Sequence, residues 1–283
     1  MRLAAPLALG LALGLSFGAG PVLAAGVLDR IRESGTVHLG YREDAEPLSY
    51  AGENGKPAGY SVLICDAVAA SLGKELGVEV KPEWQPVTAE NRFDAVVDGR
   101  IDLLCGAATI TLTRRERVDF SLPTFVDGAA VMLPRGAEPE FDALAGKRIG
   151  VHAGTTTEEI LGNSLKAKGM QAEVVPFDSH DAALAALEGG AIDAYFADQS
   201  ILFGLFFESD LSESLVVSEN TLTVEKHGLA MPRGDSDFRL AVDRAVSELY
   251  TSGKMAEFFK AAFPGATPGV ALNALFLLGP DLP

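Results

Sequence analysis

The chain is short of positive charge. It carries 23 Lys and Arg against 39 Asp and Glu, a formal net charge of -16. A nucleic-acid binder needs a basic footprint, so nucleic acid is excluded as a partner. The same imbalance argues against an anionic membrane surface, and an acidic exterior chiefly favours solubility. Cysteine is scarce: Cys65 and Cys105 are the whole supply. With four scattered histidines they offer no metal-ligand spacing, so no metal and no cofactor is expected. No Ser-His-Asp arrangement and no phosphate-binding Gly motif is present. Beyond the first residues no apolar run is long enough to span a membrane. Val270 to Leu278 is apolar but short, and Pro268 and Pro280 bracket it.

What is present begins with an export signal. Arg2 gives a positive start, Leu3 to Phe17 is apolar, and Val22-Leu23-Ala24 is a small-residue cleavage pattern. Residues 1–24 read as a signal peptide, and the mature chain begins near Ala25. No Cys lies at the cleavage point, so no lipid anchor is expected there. Roughly 260 residues remain, enough for two lobes of about 100–150 residues. In an oxidising compartment an even cysteine count reads as a bridge. Closing that loop would restrict the unfolded chain by roughly 4 kcal/mol. Two buried free thiols are the other reading.

Strand and helix patterns alternate along the mature chain. Thr36 to Gly40 and Val78 to Trp84 read as strands, with a helix from Tyr60 to Leu72 between them. Asn91 to Val97 reads as a helix ended by Gly99, and Ile101 to Cys105 as the next strand. A small-residue, Thr-rich loop then delivers Arg114 at a helix start, where Thr113 and Glu116 match a capping box. Further on the logic repeats. Arg148 to Val151 is a strand, and Thr155 with Glu158 opens a helix after the loop His152-Ala153-Gly154-Thr155-Thr156. Ala182 to Leu187 is a helix, and Ile192 to Phe196 a strand. Asp98-Gly99-Arg100-Ile101-Asp102 and Gly189-Gly190-Ala191-Ile192-Asp193 hold the same place in each unit. Two α/β lobes with mainly parallel sheets follow. Gly128 to Leu133 and a stretch within Leu222 to Met231 are the expected crossings. They divide the chain into lobe one (residues 25–127, with 227–283 returning to it) and lobe two (residues 128–226). Both singled-out loops lie at the carboxyl ends of strands, where open α/β sheets bind ligands.

These pieces resemble family 3 extracellular solute-binding proteins, the periplasmic receptors of polar amino-acid ABC importers. The resemblance covers nearly all of the mature chain. ATITLTRRERVDFS matches that family's Thr-x-x-Arg…Asp-Phe-Ser signature. GYREDAEPLSY, PVTAENR, LLCGAATITLTRRE, AGTTTEE and TSGKMAEFF…ALN most resemble the glutamate/aspartate-binding branch. The resemblance implies a type II two-lobed fold with a two-strand hinge, a small amino-acid ligand, a membrane permease as partner, a monomer in the periplasm, and no catalysis. It also implies a Cys65–Cys105 disulfide.

By the same resemblance, Arg114 grips the ligand α-carboxylate together with Thr109, and Asp198 holds the α-ammonium. A guanidinium fork suits a planar anion through two parallel charge-assisted bonds. Thr155 touches ligand carboxylates at a helix start, where free N–H groups favour an anion. Arg42 and Arg92 surround a side-chain carboxylate, and His180 is a further contact. Ala89 and Ala107 stand where the branch usually carries hydroxyls, so Ala107 joins the expected ligand-binding set as a departure. The alternative is an enzyme on the same scaffold, a cyclohexadienyl (arogenate or prephenate) dehydratase, with Glu43, Asp44, Glu46 or His180 as general acid.

Overall fold

The structure, a computed structural model, describes residues 26–208 and 211–281. The expected signal peptide lies outside the described residues. Two five-stranded sheets form the frame. The first runs, edge to edge, Lys81–Val87, Thr36–Arg42, Leu103–Cys105, Ala230–Pro232 and Val118–Phe120. The second runs Glu173–Phe177, Arg148–His152, Ala194–Asp198, Ala129–Pro134 and Leu215–Val217. In each, three parallel strands are followed by an antiparallel fourth. The sheets are thus mixed rather than uniformly parallel. The reason is chain path: each fourth strand belongs to the segment that has just crossed from the other half. It enters at the end where the parallel strands finish, and so runs against them.

The crossing is a two-stranded antiparallel ribbon, Phe125–Asp127 paired with Glu225–His227. Its second strand lies within the expected stretch Leu222 to Met231. Its first strand does not lie in Gly128 to Leu133. That run is apolar because Ala129 to Leu133 are all buried in the second sheet, flanked by Ala194–Asp198 and Leu215–Val217.

Helix Tyr60–Leu76 packs Ile64, Cys65, Val68 and Leu72 into the core of the first half. It ends at Gly77, whose φ of 69° is the left-handed conformation that glycine adopts without strain. The Val78 amide bonds back to the Gly73 carbonyl at 3.2 Å. The chain is therefore still turning there, and the strand starts at Lys81 rather than Val78. Cys65 is bonded to Cys105, tying this helix to the strand Leu103–Cys105.

The internal repeat extends to individual atoms. Asp102 donates its N–H to the His38 carbonyl at 2.7 Å, and its carboxylate accepts the His38 N–H at 2.9 Å. Asp193 does the same to Arg148, with both distances 2.8 Å. A Cβ on Gly40 would meet Ile101 Cδ1 at 2.4 Å, and one on Gly150 would meet Ile192 Cδ1 at 2.5 Å. Each glycine is needed because an isoleucine crosses directly over it. Among the described residues no helix is long and apolar enough to cross a membrane.

Candidate functional site

The carboxyl ends of the two sets of parallel strands face each other around a tightly closed pocket, with only about 20 Å³ of free space. Arg42, Arg92, Ala107 and Thr109 line it from the first half. Thr155, His180 and Asp198 line it from the second. Arg114 does not. It lies in an adjoining groove with Phe93, Glu90 and Thr155.

Arg42 ends the strand Thr36–Arg42 and is only 2% exposed. Its stem fits because residue 106 is glycine; a Cβ there would stand 3.3 Å from Arg42 Cγ. Its Nε donates to Asp44 Oδ1 at 2.6 Å. Asp44 Oδ2 faces His152 Nε2 of the other half at 2.9 Å. Burial raises the Asp44 carboxyl, but the bonds from His152 and Arg42 outweigh it and hold Asp44 well below the usual carboxylate range.

Arg92 opens the helix Arg92–Val97 and is among the largest fully buried side chains. Its Nη2 donates to the Gly154 carbonyl across the cleft at 3.3 Å, while Nε and Nη1 meet no partner. Burial, and then the positive fields of Arg114 and Arg42, push its pKa down. Arg114 donates from Nη1 to the Thr109 carbonyl at 2.9 Å. The guanidinium carbons of Arg92 and Arg114 each lie 4.8 Å from the Phe93 ring centroid, within cation–π range.

The cap before Arg114 is Thr111, not Thr113. Its hydroxyl accepts from Arg114 N at 3.1 Å. Ile110 N–H bonds to the Lys226 carbonyl at 2.8 Å, which keeps the loop extended through Thr111 and moves the helix start. Thr155 does cap its helix, accepting from Glu158 N at 3.3 Å and donating to the His152 carbonyl at 2.7 Å. The Glu158 carboxylate returns to Gly154 N–H at 2.9 Å. The Thr155 hydroxyl is therefore already engaged. Thr157 Oγ1 is buried, lines the same space and has no partner.

His180 Nδ1 sits 2.6 Å from the Tyr195 hydroxyl, and its Nε2 is unpartnered. Burial, then the fields of His152 and Arg42, push its pKa down to about 3, so the ring is neutral. Burial and the nearby Glu225 push Asp198 up to about 7, against the opposing pull of Arg42, Arg114 and Arg92. Its Oδ2 lies 3.5 Å from His227 Nε2, close but not a formed hydrogen bond. Buried Glu225 accepts hydroxyl bonds from Thr109 at 2.7 Å, Thr156 at 3.0 Å and Thr223 at 2.7 Å.

Sequence reasoning missed His152, Thr157, Glu225 and the hinge pair Asp127 and His227. His152 and Thr157 lie in or beside the flagged loop, but nothing in the sequence says which members of that loop turn inward. Ligand atoms of Asp44, His152 and His180 lie within 4.8 Å of one another, as do those of Asp127, Asp198 and His227. Arg42 Nη2, 3.5 Å from His152 Nε2, opposes a second cation in the first group. In the second group Asp127 already accepts from Ser200 and Gly128.

The sequence matches the model of bacterial extracellular solute-binding proteins, family 3, over residues 37–265. An L-glutamate/L-aspartate-binding protein of Pseudomonas aeruginosa is 32% identical over 260 residues, 91% of this chain and 86% of that protein. A glutamate/aspartate import solute-binding protein of Escherichia coli is 28% identical over 282 residues, 98% of this chain and 92% of that one. A solved structure of the ancestral amino acid-binding protein AncCDT-1, a precursor of cyclohexadienyl dehydratase, matches with a TM-score of 0.73 at 24% identity. It covers 84% of this chain and 100% of its own, and it shares the fold. With the family model matched over most of its length, the chain belongs to the bacterial extracellular solute-binding proteins, family 3, and has their two-lobed α/β architecture.

Proposed function

We propose that the chain is the soluble receptor of an ABC importer for acidic amino acids of the glutamate and aspartate kind. One observation carries this reading. Arg92, Thr157 and His180, drawn from both halves, aim unpartnered buried polar atoms into one space. Each is able to donate, and buried donors left unmade are costly. A ligand rich in carboxylate oxygen answers all three. The names of the related proteins point the same way.

In this reading Arg114 and Thr109 take the α-carboxylate and Asp198 takes the α-ammonium. Arg92 and His180 meet the side-chain carboxylate, with Arg42 behind them. The small Ala107 leaves room, and Thr155 contributes through its place at the helix start. Residues 25–127 with 227–283 move against residues 128–226 about the ribbon, and ligand stabilises the closed form. The protein works as a monomer in the periplasm, without a lipid anchor, after cleavage near Ala25. A membrane permease reads its closed shape.

No turnover is expected. Of the acids considered for the dehydratase alternative, Asp44 is held ionised and His180 is held unprotonated, so neither has a proton to give near neutral pH. Incubation with arogenate or prephenate should leave both intact; product formation overturns the receptor reading. Calorimetry should rank glutamate or aspartate above glutamine and arginine, and Arg114→Ala should abolish micromolar binding. A protein that prefers a neutral or cationic amino acid refutes the acidic assignment.

A further inference from the structure

The side-chain end of the pocket holds two arginines, yet they are not equivalent. Arg42 Nε is bonded to Asp44 at 2.6 Å, while Arg92 keeps Nε and Nη1 without a partner. Asp44 belongs to the short strand Asp44–Ala45, just after the strand that ends in Arg42. It does not line the pocket itself; it stands behind Arg42 and reaches across the cleft to His152. Charged and titratable groups around this point are Arg42 and Arg92 on one side and His152 and His180 on the other. The His152 and His180 ring centroids are 4.6 Å apart. Because His180 is neutral, it adds no cation.

We propose that Asp44, held between Arg42 and His152, is a specificity-determining residue: it cancels the Arg42 charge, so that Arg92 alone distinguishes an acidic side chain from its amide. The inference rests on the pocket receiving an amino acid at the position argued above, and deepens that reading. Two free guanidinium groups would favour the acid strongly over the isosteric amide. One free guanidinium beside a neutralised one discriminates less and admits the amide as a competitor. The bond from Asp44 to His152 has a second, separable effect. It ties the two halves together in the closed form, and so supports every ligand equally.

The test separates these effects by reading a ratio. Calorimetry on the full mature chain gives the affinities for L-glutamate and L-glutamine at one pH. Asp44→Asn keeps the shape and removes the charge. Loss of the cross-cleft bond lowers both affinities together and leaves their ratio unchanged. Release of the Arg42 charge raises the glutamate-to-glutamine ratio by at least about tenfold, since an unscreened unit charge in a buried site acts more strongly than one in water. Arg42→Gln combined with Asp44→Asn removes both charges and should return the ratio to within about threefold of the unmodified protein, since the net charge is restored. Asp44→Ser serves as a second variant if the amide disturbs the short strand. A ratio that stays put in both Asp44 variants overturns the inference. If the unmodified protein prefers glutamine, the acidic assignment falls instead, and Asp44→Asn must still move the preference toward glutamate.

Discussion

The two halves share a backbone plan and divide the chemistry between them. Gly40 under Ile101 and Gly150 under Ile192 are the same packing solution used twice, as are the aspartate clips Asp102 and Asp193. At the strand ends the likeness stops. The first half brings Arg42, Arg92 and Arg114 to the cleft. The second half brings Asp198, two histidines and a run of threonines. The zwitterion proposed as ligand needs both kinds of surface, so in that reading neither half alone is a complete site. The repeat supplies the frame, and the loops at its open end supply the difference.

Four measurements test this division between the halves, in descending order of effect. Only the first half carries a disulfide. Replacing Cys65 and Cys105 by serine should cost roughly 4 kcal/mol in urea unfolding, by the loop-entropy relation. Hydrogen exchange should place the loosened amides in helix Tyr60–Leu76 and the sheet beside it; equal loosening of both halves would break the asymmetry. Next, Asp198→Asn should weaken ligand binding by at least about a hundredfold, because it removes a buried charge partner. The same change should raise the melting temperature of the ligand-free protein, because a carboxyl disfavoured by burial is gone. If melting and binding fall together, Asp198 is structural rather than a ligand contact.

The third comparison uses the paired glycines. Gly40→Ala and Gly150→Ala should each cost about 1–3 kcal/mol through overpacking against an isoleucine. Denaturant titration should put Gly150→Ala at the higher end, because a Cβ there would also meet Phe177 Cε2 at 3.1 Å and Tyr195 Cδ2 at 3.2 Å; no cost at either site breaks the repeat. The smallest effect is pH. The Asp198 carboxyl is raised from 3.8 to about 7, so between those values the folded protein retains a proton that the unfolded chain has lost. This group therefore lowers ligand-free stability as pH rises through that window, and the effect is complete above it. Asp127, pushed up by burial and by Asp198 to about 6, adds in the same direction. Ligand binding runs the opposite way. An ammonium needs the carboxylate, so binding expels the proton, and affinity should fall about tenfold between pH 8 and pH 6. Calorimetry in two buffers of different ionisation enthalpy would detect the released proton; no release removes Asp198 from the ammonium role.

Much of the frame was legible in the sequence because it rests on local signals. Gly77 and Gly99 punctuate helices, and Thr155 with Glu158 caps one as its spacing predicts. The repeated Ile-Asp pieces gave the two-unit plan. Gly128 to Leu133 misled because apolarity reports burial and cannot say which sheet does the burying. Thr113 misled because the loop before Arg114 is held straight by a long-range bond to Lys226. For the site, the family resemblance named eight residues, and the structure gathers seven of them around one space, with Arg114 beside it. The pairings among them were not legible. Asp44 with His152, and Glu225 with three hydroxyls, join segments far apart in the chain, and no local pattern records such a meeting.

Asp198, proposed above to receive the amine, sits beside the crossing ribbon, with Asp127 on one of its strands and His227 on the other. It is a pivot-side position rather than a rim-side one. Like the short arm of a lever, a small adjustment at this fulcrum swings the far lips of both halves through a much longer arc. In the proposed reading, recognition of one ammonium at the axle sets the outline that the molecule presents at its mouth.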